Sequence, residues 1–326
     1  MFLELSGLKK SFSGHEVIHD VSLSVQRGEI VCLLGASGCG KTTTLRLVGG
    51  FLVPDAGSVT LDGTDVTRMP PEVRPTSTVF QSYALFPHLT VAGNVAYGLR
   101  QAGVGRAEAE ERTRQMLDAV GLEDQADAGV ADISGGQRQR VALARSLVLG
   151  PKVLLLDEPF SNLDANLRLR MRREVRDIQR RFGVTMLFVT HDREEAMAFG
   201  DRIAVMHEGR LVQVGTPREV YRHPADLYCA RFLGHVNELD LPGVPGGHAL
   251  FRAEDVVVGR EGGLAATVEE SVFLGGTCEL RLLVDAPGSP EILARVPGDQ
   301  QYARGTRVPL DIARTFQIKG KESTND

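Results

Sequence analysis

Gly35-Ala36-Ser37-Gly38-Cys39-Gly40-Lys41-Thr42 is the stretch on which the reading of this chain turns. An apolar run, Glu29–Leu34, precedes it and reads as a buried strand. Lys41–Val48 follows and reads as a helix that stops at Gly49-Gly50. The eight residues fit G-x-x-x-x-G-K-[ST] in the strand–loop–helix setting that a phosphate-binding loop requires. Glycines let successive backbone N–H groups turn toward phosphate oxygens, and the helix N-terminus adds the positive end of its dipole. On this reading Lys41 reaches the β- and γ-phosphates, the Thr42 hydroxyl ligates Mg²⁺, and Thr43 completes the loop. A Gly-rich turn without a ligand is the competing reading.

A second element lies downstream. Val153–Glu158 (VLLLDE) is a hydrophobic strand that delivers Asp157 to the edge where open α/β sheets bind ligands. Asp157 would hold Mg²⁺ through its water shell, and Glu158 would act as general base on the attacking water. Any strand can end in Asp-Glu, so the pair gains its weight from the phosphate loop before it. Thr185–Thr190 reads as a further buried strand, and Arg202–His207 with Arg210–Val214 as a hairpin around Glu208-Gly209. Strands alternating with helices through the first two-thirds predict an α/β fold with a mostly parallel sheet.

The 326 residues suggest two domains, and 42% hydrophobic with 24% charged residues is ordinary for a globular chain. No apolar run approaches the roughly 18 residues of a membrane span, and the start MFLELSGLKK lacks a signal-peptide core, so a cytosolic location is expected. A formal charge of −5 argues against nucleic acid as a partner. The four cysteines carry no C-x-x-C pair, which favours reduced thiols. A helical insertion spans about Pro87–Gly150, with Arg106–Val120 as one of its helices. Leu167–Phe182 holds seven arginines, but Met171, Val175, Ile178 and Phe182 recur at helical spacing, which predicts an inward apolar stripe and outward arginines. Leu241–His248 is rich in proline and glycine and reads as a linker. Five short β-like runs follow: Val256–Val258, Ala266–Leu274, Cys278–Val284, Glu291–Val296 and Arg307–Ile312. They predict a small barrel or sandwich, and residues 319–326 read as a tail.

Ile133-Ser134-Gly135-Gly136-Gln137, placed after the insertion and before the acidic strand, resembles the signature of ABC-type ATPases, with isoleucine where the family usually has leucine. Other positions match in order. Gln81 resembles the glutamine that touches Mg²⁺ and water. Ser161–Asp164 resembles the loop that crosses to the partner subunit through Asp164. His191 resembles the switch histidine at the γ-phosphate, although alone it reads as a strand-end residue. Phe12 lies where the family stacks an aromatic on adenine; a core phenylalanine is the alternative.

The resemblance implies a P-loop NTPase core over residues 1–234 with a helical subdomain near 87–150. A linker at 235–247 and a small β-barrel-like domain at 248–326 would follow. It implies ATP and Mg²⁺ as ligands and a homodimer holding two ATP molecules, each between the phosphate loop of one chain and Ser134–Gln137 of the other. It implies a membrane permease as partner, a periplasmic or extracellular solute-binding protein acting indirectly, and a place at the inner membrane face. Tyr83–Leu99 resembles the importer type that serves polyamine, ferric-iron and related uptake, where this surface receives a permease helix; the subdomain's own core is the other reading. Arg252-Ala253-Glu254-Asp255 resembles a short element of the accessory domain, for which a packing or dimer-bracing role is expected. An exporter ATPase and a non-transport mechanical ATPase are the alternative functions. Cys39, beside a helix N-terminus, is expected to have a lowered pKa and to react near the nucleotide.

Overall fold

The computed structural model describes residues 1–326 apart from 162, 242–246, 261–262 and 319–326. Residues 242–246 of the expected linker, one residue of the Ser161–Asp164 loop and the expected tail therefore lie outside the described residues. Contacts divide the chain into two compact units, Met1–Pro217 and Arg218–Asp326.

The first unit opens with strands β1 (Leu3–Phe12) and β2 (His15–Val25), paired antiparallel. Ser13 and Gly14 both have positive φ, the backbone a two-residue hairpin turn demands. Strand β3 (Ile30–Gly35) and helix α1 (Lys41–Val48) come next, then β4 (Ala56–Leu61), β5 (Thr64–Asp65) and β6 (Thr76–Val79). Three helices follow: α2 (Val91–Gln101), α3 (Arg106–Ala119) and α4 (Gly135–Leu147). The unit continues through β7 (Val153–Asp157), α5 (Ala165–Phe182), β8 (Thr185–Thr190), α6 (Arg193–Phe199), β9 (Arg202–His207) and β10 (Arg210–Gly215).

Two sheets form from these strands. One has the order β10-β9-β3-β8-β7-β6, parallel except for the β10 edge; the other, β2-β1-β4-β5, is antiparallel. The antiparallel sheet was not foreseen. Every residue of β3 and β8 is buried, and all of β7 but its last, Asp157, as expected for central strands covered on both faces. Leu33, Leu155 and Leu187 share one core with Leu3, Leu5 and Leu45. Parallel pairing has a functional consequence. It brings the C-terminal ends of β3, β6, β7 and β8 to one edge of the sheet, so the segments after Gly35, Val79, Asp157 and Thr190 emerge side by side.

Helix α5 follows the expected stripe at Met171, Val175 and Ile178, all buried. Phe182 departs from it at 40% exposure, because the helix ends there and Gly183 turns away in the left-handed region. The arginines are not all outward either. Arg172 is buried beside Glu195, and Arg168 bonds inward to Leu163 O and Asp192.

The second unit contains helices α7 (Pro217–Arg222) and α8 (Leu227–Leu233) and strands β11 (Asn237–Asp240), β12 (His248–Phe251) and β13 (Val256–Val258). Strands β14 (Leu264–Phe273), β15 (Thr277–Val284), β16 (Glu291–Pro297) and β17 (Arg307–Ile312) complete it. The sheet order is β13-β17-β14-β15-β16, and its two edges, β13 and β16, also touch, so it curls toward a barrel around Phe251, Val268, Leu280 and Leu310. Strand β11 falls inside the stretch expected to be a linker and pairs with β12.

Arg252 explains why α7 and α8, expected with the first domain, belong to the second unit. Only 3% exposed, its guanidinium donates to the carbonyls of Tyr221, Ala230, Gly234 and His235, and it stacks 4.4 Å from the Tyr221 ring. Replacing Arg252 with Ala strands these carbonyls and should lower the stability of this unit by about 2–4 kcal/mol, read as a shifted urea midpoint.

Candidate active site

At Gly35 and Gly40 the phosphate loop is shaped by close approaches that leave no room for a side chain. A Cβ on Gly35 would sit 2.4 Å from Met206 O, and Gly40 has φ of +104° with its Cβ position 2.7 Å from Ile18 Cδ1. Ala36, Ser37 and Gly38 are exposed at the mouth, Thr43 is half-buried, and Lys41 is buried. The Lys41 ammonium folds back and donates to Gly35 O and Ala36 O, both at 2.8 Å. Carbonyl dipoles solvate the charge without cancelling it, so it stays available to an anion entering the loop.

Thr42 Oγ1 donates to Asp157 Oδ1 at 3.1 Å, which joins the start of α1 to the end of β7. Burial holds the Asp157 carboxyl above the usual carboxylate range. A hydroxyl and a carboxylate in contact form an all-oxygen donor set, the kind a hard cation such as Mg²⁺ accepts, and a cation there would favour the ionised carboxylate.

Beyond Asp157 the chain makes an unusual turn. Glu158 has φ of +46°, a left-handed conformation that strains any residue with a Cβ. Its N–H donates to Val189 O at 3.0 Å, and its carbonyl accepts from Ser161 Oγ at 3.0 Å. The side chain thereby reaches His191 Nδ1 at 3.1 Å and Gln81 Nε2 at 3.4 Å, and Gln81 also donates to Ser161 Oγ at 3.1 Å. Three segments from three strand ends meet at one carboxylate.

Neighbours hold these segments in turn. Thr190 Oγ1 donates to the buried Glu195 carboxylate at 2.7 Å and accepts from the Asp192 N–H at 3.0 Å, fixing both flanks of His191. Burial raises the Glu195 pKa, although Arg172 and Arg168 stand near it. After Gln81, Tyr83 and Ala84 have φ of +61° and +46°, and Arg145 donates to both of their carbonyls. Arg145 and Glu195 escaped the sequence reading. Neither carries a local signal, because each is identified only by partners that the fold brings to it.

Not every candidate joins this cluster. Ser134 Oγ accepts from Gln137 N–H at 3.3 Å while Gln137 Oε1 accepts from Ser134 N–H at 2.7 Å, so this segment forms a reciprocal cap on α4 with its bonds turned inward on itself. Gly135 and Gly136 form the first helical turn. Asp164 caps α5 by accepting from Leu167 N–H at 2.9 Å. Phe12 is 42% exposed, 5.7 Å below the Lys10 ammonium, which removes the core alternative. In the Tyr83–Leu99 stretch Val91, Val95 and Leu99 are buried in the unit's own core, whereas Tyr97 is exposed and packs 4.3 Å from the Phe86 ring.

Cys39 corrects its expectation. At 7% exposure, burial raises its thiol pKa and outweighs the nearby Lys41 charge. Alkylation is therefore expected to be slow at neutral pH and to accelerate about tenfold per pH unit as thiolate forms. Mass spectrometry of Cys39 with and without ATP checks this, bound ATP being expected to protect it.

Comparison with known proteins places the chain. Residues 18–161 match the family model described as ABC transporter, and residues 249–315 match that of the TOBE domain. The Fe(3+) ions import ATP-binding protein FbpC of Rhizobium etli is 46% identical over an alignment covering 96% of this chain and 95% of that protein. This chain belongs to the ABC transporter ATP-binding family. A second relative, the spermidine/putrescine import ATP-binding protein PotA of Oleidesulfovibrio alaskensis, is 42% identical over 91% of this chain and 87% of its own length. Among solved structures, cbiO1 of Clostridium perfringens, part of the ABC transporter complex cbiONQ, aligns with a TM-score of 0.63 and 30% identity, covering 67% of this chain and 90% of that one. The family's P-loop NTPase core with a barrel-like C-terminal sheet is the fold found here. This ABC protein is an ATP-binding, ATP-hydrolysing subunit of an importer, which sets aside the exporter and non-transport alternatives. Among the described residues no helix is long and apolar enough to cross a membrane.

Proposed function

We propose that two copies of this chain close head-to-tail over two ATP molecules at the inner face of a membrane and drive a permease by hydrolysing them. The observation that carries the site is the convergence of Glu158 with His191 and Gln81 beside the Thr42–Asp157 pair, next to a loop that presents Lys41. Gly35–Thr43 cradle the phosphates, and Lys41 exchanges its loop carbonyls for β- and γ-phosphate oxygens. Phe12, exposed at a strand end, stacks on adenine. Thr42, Asp157 and Gln81 would hold Mg²⁺, whose charge would offset that of the phosphates.

Glu158 accepts a proton from water as its oxygen bonds to the γ-phosphorus and the bridge to the β-phosphate breaks, yielding ADP and phosphate. His191 and Gln81 orient Glu158 and the water. Ser134–Gln137 of one copy, at the N-terminus of α4, meet the γ-phosphate held by the other, and Asp164 crosses near that seam. ATP favours the closed pair because only that state supplies both sets of contacts. The exposed Tyr97 beside Phe86 lines the permease contact.

Ferric ion and spermidine/putrescine, the cargoes in the names of the two long relatives, are the solutes to assay first, with a solute-binding protein delivering them to the permease. Purified protein, alone and with its permease, is expected to release phosphate from ATP only when Mg²⁺ is present. Chelation should abolish turnover reversibly, and absence of turnover in both preparations would defeat the reading.

A further inference from the structure

Gln139 lies on α4, five residues past Ser134, and is 1% exposed. Its Nε2 donates to Pro159 O at 3.0 Å, a bond that joins the helix to the residue directly after Glu158. Its Oε1 is equally enclosed and has no hydrogen-bond partner among the described residues. An unpaired buried amide oxygen is a standing cost that leucine or methionine would avoid, so packing alone does not account for an amide here.

The position of the bond gives it a use. Glu158 is held in a left-handed conformation by contacts on both sides: Val189 O before it, and Ser161 and the Gln139 amide after it. Such strained backbone persists only where its surroundings over-determine it. Helix α4 runs unbroken from its Ser134 cap through Gln139, a distance of about 7.5 Å along its axis. A shift at the Ser134 end therefore moves the Gln139 amide, and with it the Pro159 carbonyl. The Gly136 position packs against Met171 and Leu167 of α5, so the cap end is braced on the helix that follows the same loop.

We propose that Gln139 is a positioning residue for Glu158: it carries the state of the Ser134–Gly136 cap, through α4, to the carboxylate of its own chain. The inference rests on the proposed roles of Ser134–Gly136 against the partner's ATP and of Glu158 as base. One site's occupancy then tunes the base of the other, and the two hydrolysis events become coupled. The link needs no long pathway, since one rigid helix and one hydrogen bond span it.

The full-length Gln139→Leu and Gln139→Met variants test this against wild type in three measurements: phosphate release across ATP concentrations, fluorescent-nucleotide affinity, and melting temperature. Expected is a fall in kcat of about 10- to 100-fold with ATP affinity within about twofold, and a Hill coefficient dropping to about 1. The melting temperature should stay within a few degrees, because the variants also remove the orphaned Oε1. Wild-type kcat and Hill coefficient in both variants would overturn the proposal. So would kcat, affinity and melting temperature collapsing together in both, which would make the bond purely structural. A wild-type protein without turnover would instead bring down the function reading and this inference with it.

Discussion

Glu158→Gln is expected to lower phosphate release by about 10²- to 10⁴-fold, the loss typical of removing a general base. The amide keeps the shape of the carboxylate, so the contacts with Gln81 and His191 change in polarity more than in position. ATP affinity should hold, and the closed dimer should persist because the step that opens it is blocked. Light scattering after size exclusion in ATP and Mg²⁺ reads this directly, and a variant that stays monomeric would sink the sandwich. Glu158→Gly supplies a control with the opposite sign on stability. Glycine accepts φ of +46° without strain, so this variant should be at least as stable as wild type while losing turnover. Activity and fold then part company at one position.

The second large effect belongs to the phosphate loop. Lys41→Met keeps the aliphatic stem but removes the ammonium that now bridges Gly35 O and Ala36 O. Loss of one preorganised charge at the phosphates should reduce turnover by about 10²- to 10³-fold and weaken nucleotide binding, measured by fluorescent-nucleotide titration. Gly35→Ala acts differently, because its Cβ would lie 2.4 Å from a backbone carbonyl and 2.6 Å from Cys39 Sγ. The loop itself must move, so melting temperature and affinity should fall together, the melting temperature by more than in Lys41→Met, which strands two carbonyls without forcing a backbone shift.

The parts of this protein that were legible in sequence are those in which one residue's chemistry implies a local geometry. The phosphate loop needs its glycines and Lys41 in consecutive order, and buried parallel strands such as β7 and β8 announce themselves as unbroken apolar runs. The C-terminal strands, with clean alternation between buried and exposed residues, were also readable. The β1–β2 hairpin was not, because register shifts between Leu5 and Ser11 break the alternation that would have marked it. Contacts between distant segments were hidden for a different reason. Nothing local distinguishes Gln139, Arg145 or Glu195 from surface polar residues; their partners lie 20, 62 and 5 positions away, and only the fold closes those gaps. Cys39 was misjudged because the helix dipole is visible in the sequence and burial is not.

The clasp around Arg252 also bears on how such proteins exchange accessory modules. Shuffling a C-terminal module between family members at residue 234 would leave the carbonyls of Tyr221, Ala230 and Gly234 upstream of the joint and their guanidinium downstream of it. A crossover just after Pro217 keeps donor and acceptors within one inherited piece, so chimaeras spliced there should express as well as their parents.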